Sequence, residues 1–278
     1  MTISKLKTIQ KIFFNKKKCL NFLLENNIIK RLSRCKSWNN KIYKERKLLF
    51  KCSNKECKKA ISLFDNSFFS NQHLKCNNIL FIAYLWICKA NYSTISYTTS
   101  YSSTTIVRYI KIFRELVISD LKDEDFLLEG ENIICEVDES LFKDFWVVGI
   151  IERTKEKKYY FEIVKDRNTD TLKRIIKKYV KPKSILFSDC WKAYQLQGLD
   201  IIHRKVNHSR AASEIFGIHT NTIEGMWNGI KLIISERNRN EDLIEEYLLE
   251  FCWRRKHVNN LWSAFLEALK TWKKYKRS

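Results

Sequence analysis

The chain has 278 residues, 45% of them hydrophobic, and it carries a formal net charge of +21 at pH 7. A chain of this length is large enough to form a core, as one large domain or two smaller ones. The scarcity of glycine (6) and proline (1) leaves little room for flexible linkers. Residues 1–60 contain 18 Lys and Arg against 3 Asp and Glu. Such a field attracts polyanions such as DNA or RNA, although a soluble surface encoded by a lysine-rich genome explains the charge equally well.

Cysteine usage and hydropathy predict a soluble, intracellular protein. The nine cysteines are odd in number and no secretory signal precedes them, which favours free thiols in a reducing compartment over a disulfide framework. A membrane span needs roughly 18 uninterrupted apolar residues, and the apolar run at residues 79–88 is too short.

The first half of the chain has mainly helical spacing. Residues 1–50 combine that spacing with many lysines, residues 51–72 are short and irregular, and helical patterns return at residues 74–90 and 106–117. The helices predicted at residues 74–90 and 106–117 flank a polar segment and resemble a helix-turn-helix. Arg108, Lys111 and Arg114, on the polar side of the second helix, are candidate DNA contacts. An ordinary helical hairpin fits the pattern too, and the pattern alone favours it.

An acidic run at residues 120–131 breaks the basic trend and predicts a domain boundary. Beyond it the pattern predicts three strands, an amphipathic helix, two further strands and two closing helices, which suits an α/β domain on a mixed sheet. The predicted elements are strands at residues 132–138, 145–152, 158–164, 184–188 and 201–206, and a helix at 169–180.

Three acidic residues stand in distinctive polar signatures. Asp138 and Asp189 follow apolar strand-like runs, and Glu224 opens a helical pattern after a Thr/Asn-rich lead-in that offers N-cap oxygens. Lys231 lies two turns further along the polar stripe of that helix. Each acid has an ordinary alternative as a turn or capping residue, but three acids with a lysine indicate a metal site beside a phosphodiester.

The sequence resembles the DDE transposases of the Merlin superfamily and their bacterial insertion-sequence relatives. The resemblance runs from about residue 50 to 269 and rests on separated motifs in the family order: Glu-Val-Asp-Glu-Ser, Val-Gly-Ile-Ile-Glu-Arg, Ser-Asp-Cys-Trp-Lys-Ala-Tyr, Val-Asn-His-Ser and His-Thr-Asn-Thr-Ile-Glu-Gly-Met-Trp-Asn-Gly-Ile-Lys. It implies an RNase H-like catalytic fold with Asp138, Asp189 and Glu224 as metal ligands and Lys231 as the accompanying basic residue. The 34 residues between Asp189 and Glu224 are close to the family's usual gap.

The resemblance also implies the chemistry and the partners. Two Mg²⁺ (or Mn²⁺) ions would serve an in-line displacement, first by water to free a 3′-OH and then by that 3′-OH on target DNA. His208 and His219 lie beside the motifs and could contact DNA, with a structural hydrogen bond equally plausible for each. The expected partners are transposon terminal repeats and target DNA, bound by a homodimer, in the nucleus of a eukaryotic host or otherwise in the cytoplasm.

Two departures from the family favour a catalytically inactive, transposon-derived DNA-binding protein as the alternative. The zinc ribbon of relatives is reduced to Cys35, Cys52 and Cys57, three plausible ligands where tetrahedral Zn²⁺ wants four, so bound zinc is doubtful. The connection between the first two strands also lacks the longer basic loop of relatives. A nuclease on the same fold is a more distant possibility.

The predicted division is a basic N-terminal region with a degenerate zinc ribbon, a helix-turn-helix-like region, an RNase H-like catalytic domain, and C-terminal helices packed on that domain. These occupy residues 1–72, 73–130, 131–240 and 241–278.

Overall fold

The computed structural model describes residues 6–31, 34–35, 37, 39–46, 48–57, 59–128, 130–206, 219–236 and 239–272. The α-helices of these residues are α1 (Leu6–Phe14), α2 (Lys16–Glu25), α3 (Cys76–Ile87), α4 (Tyr92–Thr99), α5 (Ser103–Ile118), α6 (Thr169–Tyr179), α7 (Asn221–Ile233), α8 (Glu241–Lys256) and α9 (Leu261–Thr271). The strands are β1 (Ile42–Arg46), β2 (Leu49–Cys52), β3 (Ala60–Ser62), β4 (Ile134–Phe142), β5 (Phe145–Glu152), β6 (Tyr159–Val164), β7 (Ile185–Ser188) and β8 (Ile202–Lys205). None of the described helices is long and apolar enough to cross a membrane.

The chain divides into two compact units. The first unit combines the segment up to Asp120 with the segment from His257, and the second unit consists of Leu121–Lys256. The last helix, α9, therefore lies in the first unit, where it contacts α3 and α5. The predicted division instead treated both closing helices as one segment, residues 241–278, packed on the catalytic domain.

The first unit joins helices to a small antiparallel sheet in the order β1-β2-β3. Strand β3 and the end of β2 lie in residues 51–72, which the sequence pattern left irregular. The polar segment after α3 is also more ordered than expected, because it forms α4. The side chain of Asn91 caps this helix by accepting from Thr94 N at 2.7 Å, and buried Ile95 anchors it. Its Ser, Thr and Tyr residues have modest helix propensity, which hides it in the sequence.

The second unit is a mixed α/β structure, as the sequence predicts. Its five-stranded sheet has the order β6-β5-β4-β7-β8. The strands β6, β5 and β4 pair antiparallel, whereas β4, β7 and β8 pair parallel. Each of the five predicted strands and the helix at 169–180 is present, with ends shifted by a few residues.

Helices cover both faces of this sheet. On one face α6 buries Leu172, Ile175 and Ile176 among residues of β4 and β7. On the other face α7 and α8 pack against β4, β5 and β6 through a cluster that includes Trp227 and Leu248. Since successive residues of a strand face opposite sides, alternate residues of β4 point to α6 or to α7.

Candidate active site

Asp138 lies on β4, and Asp189 immediately follows the neighbouring strand β7. The parallel ladder between β4 and β7 pairs Glu136 with Phe187. Two residues further along each strand direction come Asp138 and Asp189, so the ladder delivers the two acids to adjacent positions. The backbone N–H of Trp191 donates to Asp189 Oδ1 at 2.9 Å and fixes the turn that follows β7.

Helix α7 docks on the sheet at the level of Asp138. The cross-strand partner of Asp138 on β5 is Gly149. The Trp227 indole lies directly against Gly149, where an added Cβ would come within 2.5 Å of the ring atom Cζ2. Trp227 follows Glu224 by three residues, so both project from neighbouring turns of α7. The missing side chain at residue 149 thus lets the helix that bears Glu224 approach the strand that bears Asp138.

Glu224 lies in the first turn of α7, as predicted, and its side chain is exposed. The hydroxyl of Thr220 donates to Glu224 Oε1 at 2.7 Å. Thr220 stands at the N-cap position but makes no side-chain cap hydrogen bond. The Thr220 hydroxyl therefore bonds to Glu224 and does not perform the N-cap role that the sequence predicted for the Thr/Asn segment.

The electrostatics of Asp138 report the proximity of the other two acids. Burial raises the pKa of Asp138 to about 6, and the negative charges of Asp189 and Glu224 contribute in the same direction. Burial also raises the pKa of Glu139 to about 7, with further contributions from Asp138 and Asp189. Glu139 lies on the other face of β4, which points to α6. There it interacts with Tyr194, a residue of the core on that side. A bound cation would reduce the repulsion between such partly buried carboxylates.

The three acids do not form a tight one-ion cluster. Among the described residues, a group of three or more His, Cys, Asp or Glu ligand atoms within 4.8 Å of one another occurs at the cysteines alone. A two-ion site is less demanding, because ions roughly 3.5–4 Å apart accept carboxylates spread over a wider span. Carboxylates are the ligand type that hard cations such as Mg²⁺ prefer.

Lys231 and His219, the basic residues predicted near the acids, make different contacts. Lys231 Nζ is 5.4 Å from the centroid of the Phe142 ring, at the far end of β4 from Glu136. His219 Nδ1 is 2.9 Å from an Arg153 nitrogen, which is the structural hydrogen bond that the sequence left open for this residue. His208 lies outside the described residues.

A buried ion pair beside the acids escaped the sequence reasoning. Glu136 is fully buried and pairs with Arg153. Both residues stood within the quoted motifs, but a strand pattern gives no sign that a carboxylate and a guanidinium will meet across two strands. A charged residue at an apolar strand position was the available signal, because buried charges are rarely left unpaired.

The predicted DNA contacts on α5 divide into two groups. Arg108 and Lys111 are exposed. Arg114, however, is only 5% exposed and belongs to the buried side of α5. The structure therefore does not place Arg114 on the polar surface predicted for it, because helical spacing alone did not show which neighbouring elements cover that part of the helix.

The three cysteines of the first unit converge. Cys35, Cys52 and Cys57 are buried, and their sulfur atoms all lie within 4.8 Å of one another. The Sγ atoms of Cys35 and Cys57 are 3.6 Å apart. Sulfur ligands at about 2.3 Å from a tetrahedral zinc ion are about 3.8 Å apart, so this separation suits a shared ion.

Comparison with known proteins agrees with a DNA-processing class. Residues 143–256 match the model of the ISXO2-like transposase domain. A protein of Haemophilus influenzae, described as an uncharacterized transposase-like protein, is 31% identical over 99 residues, which cover 35% of this chain and 80% of that protein. The chain belongs to this transposase family. The matched domain contains Asp189, Glu224 and Lys231, and it begins five residues after Asp138.

Proposed function

We propose that this protein is a DDE transposase that cleaves DNA at transposon ends and joins the freed end to target DNA. The observation that supports the proposal is that Asp138 and the residue before Asp189 are on neighbouring strands, and that the helix bearing Glu224 docks on the strand pair of Asp138. Membership of a transposase family supports it. The sheet order, with three antiparallel strands followed by two parallel ones, suits an RNase H-like catalytic domain of the Merlin type.

In this proposal Asp138, Asp189 and Glu224 hold two Mg²⁺ or Mn²⁺ ions. Such ions, when bound, activate the attacking oxygen and stabilise the leaving oxygen of an in-line phosphoryl displacement. The chain's own part is to hold the acids in place: the sheet fixes the two aspartates, and α7 brings the glutamate. Lys231 is on the same helix and is proposed to contact a phosphate near the reacting one.

The proposed partner is DNA, bound through its phosphates. The net charge of +21 supplies the attraction. Arg108 and Lys111, exposed on α5, are the proposed contacts of a helix-turn-helix formed by α4 and α5. Because transposition pairs two ends of one element, we propose a homodimer on DNA, with the compartment following the host.

The proposal is tested by cleavage and joining of the element's own terminal repeats in Mg²⁺. We expect nicking and strand transfer by the wild type, and a loss of at least a thousandfold in Asp189→Asn with DNA binding kept. Asp200→Asn, which replaces an exposed acid of the same unit, is the matched control and should remain active. Full activity in Asp189→Asn would remove the assigned mechanism.

A second candidate function is DNA binding without catalysis. The observation in its favour is the tight connection between β4 and β5, in which two residues separate Phe142 from Phe145. This candidate predicts salt-sensitive DNA binding by the wild type with no metal-dependent cleavage. Hydrolysis of branched or hybrid substrates without end joining would instead indicate a nuclease on the same fold.

A further inference from the structure

We propose that Glu136 and Arg153 form a positioning pair that sets the place of Glu224 relative to Asp138. The inference rests on the proposed function, since it assumes that these two acids share a metal site. Neither member of the pair is proposed to touch metal or DNA.

Glu136 connects the strand of one acid to the helix of another. It precedes Asp138 by two residues on β4, so the two side chains share a face of the sheet. Its side chain is 0% exposed, and its Oε2 accepts a hydrogen bond from the backbone N–H of Ile223 at 2.9 Å. Ile223 immediately precedes Glu224. The carboxylate of β4 therefore grips the backbone of α7 one residue before the proposed ligand.

Arg153 bonds to the other oxygen of the same carboxylate and adds further contacts to the start of α7. Its Nε donates to Glu136 Oε1, and its own backbone N–H donates to Ile134 O at 2.7 Å. One of its terminal nitrogens donates to the carbonyl of His219, two residues before α7 begins. Its guanidinium lies 4.8 Å from the centroid of the Phe187 ring on β7. Arg153 thus links β4, β5 and β7 to the start of α7.

The pair replaces the cap that α7 lacks. The first N–H groups of a helix have no intrahelical partner and carry a partial positive charge. Thr220 provides no side-chain cap for them, whereas the buried Glu136 carboxylate meets one of them directly. A buried ion pair adds little net stability compared with an apolar substitute, because desolvation offsets the attraction. What directional hydrogen bonds add is a fixed register for the first turn of α7, where Glu224 lies.

The test measures Mn²⁺ affinity by electron paramagnetic resonance on the full chain without DNA, alongside hydrogen exchange at the Ile223 amide. Glu136→Gln keeps the size of the side chain and an acceptor for Ile223 N, but it removes the charge that holds Arg153. We expect Mn²⁺ to bind at least tenfold more weakly and the Ile223 amide to exchange faster. Glu136→Gln, Arg153→Gln and the double variant complete a double-mutant cycle, in which the double variant should be no worse than either single one.

The matched control is Glu250→Gln on α8. Glu250 is also mostly buried and also pairs with an arginine, Arg254, at 2.7 Å, but it is on a helix with none of the three acids. Its loss should leave the Mn²⁺ affinity unchanged. An unchanged affinity in folded Glu136→Gln overturns the proposal, and so does an equal loss in Glu136→Gln and Glu250→Gln. If Glu136→Gln does not fold, Arg153→Lys decides, because lysine keeps the charge but cannot bridge Glu136 and His219 together.

Asp189→Asn in the same titration separates the two proposals. Weaker Mn²⁺ binding in Asp189→Asn, combined with wild-type binding in the pair variants, overturns the positioning role and leaves the proposed metal site standing. Wild-type binding in Asp189→Asn removes the metal site, and the role of the pair is then overturned with it.

Discussion

Trp227 lies against Gly149, so closely that a single methyl group on residue 149 would come within 2.5 Å of the indole. Gly149 is the cross-strand partner of Asp138, and Trp227 is on the helix that bears Glu224. The contact therefore ties the helix of one proposed metal ligand to the strand pair of another.

Gly149→Ala should disturb this docking. We expect a loss of about 1–3 kcal/mol in the free energy of unfolding, because overpacking a core displaces side chains and backbone. Urea denaturation measures the change. Gly229→Ala is the matched control, since a Cβ at that α7 position meets nothing within 4 Å, and replacing a helical glycine should stabilise by up to about 1 kcal/mol. Equal stability of Gly149→Ala and the wild type would contradict the close docking.

Asp138→Asn should stabilise the protein at neutral pH in the absence of divalent metal. The pKa of Asp138 is raised to about 6 in the fold, so the folded state disfavours the ionised carboxylate. That destabilisation is fully present above pH 6 and disappears as the pH falls below the unfolded pKa of about 3.9. We expect Asp138→Asn to gain about 1–3 kcal/mol at pH 7.5 and to approach the wild type near pH 4.

Unfolding in chelator across pH 4–8 measures this difference, with Asp200→Asn as the control for removing an exposed acid. A constant offset between Asp138→Asn and the wild type over the whole range would exclude the assigned origin of the shift.

Truncation of Arg108 and of Arg114, six residues apart on α5, should affect different properties: DNA binding for Arg108 and stability for Arg114. Arg108 is exposed, so Arg108→Ala should change stability by less than about 0.5 kcal/mol while weakening DNA binding. Each lost phosphate contact should reduce the slope of log K against log salt by about 0.9. Arg114 is buried, and Arg114→Ala should cost on the order of 1–3 kcal/mol in stability through lost packing. Fluorescence anisotropy at several salt concentrations and thermal unfolding distinguish the two, and a stable Arg114→Ala with weak DNA binding would restore the sequence prediction.

The cysteine cluster should bind a thiophilic metal ion. The sulfur atoms of Cys35, Cys52 and Cys57 are already within 4.8 Å of one another, so three thiolates need little rearrangement to share Zn²⁺ or Co²⁺. We expect the charge-transfer absorption of Co²⁺–thiolate bonds on titration, and its loss in Cys57→Ser. Cys88→Ser, which replaces an exposed cysteine, should leave the spectrum intact. A spectrum with no thiolate band would agree with the doubt that the sequence raises about zinc.

Local pattern in the sequence determined the elements of the second unit and the identity of the acids. Apolar, strand-like runs predicted five strands, and apolar residues at helical spacing predicted α6 and the helix that begins near Glu224, because both patterns reflect burial. The same local reasoning missed α4, whose polar residues have weak propensity, and the sheet of the first unit, whose strands are too short to show a period.

Only the tertiary structure decided which residues meet. The parallel pairing of β4 with β7 set Asp138 beside Asp189, and the absence of a side chain at Gly149 admitted Trp227. Long-range packing likewise buried Arg114, gathered three cysteines separated by irregular sequence, and paired Glu136 with Arg153. Strand register and helix docking are set by contacts between distant segments, and such contacts leave no periodic trace in either segment alone.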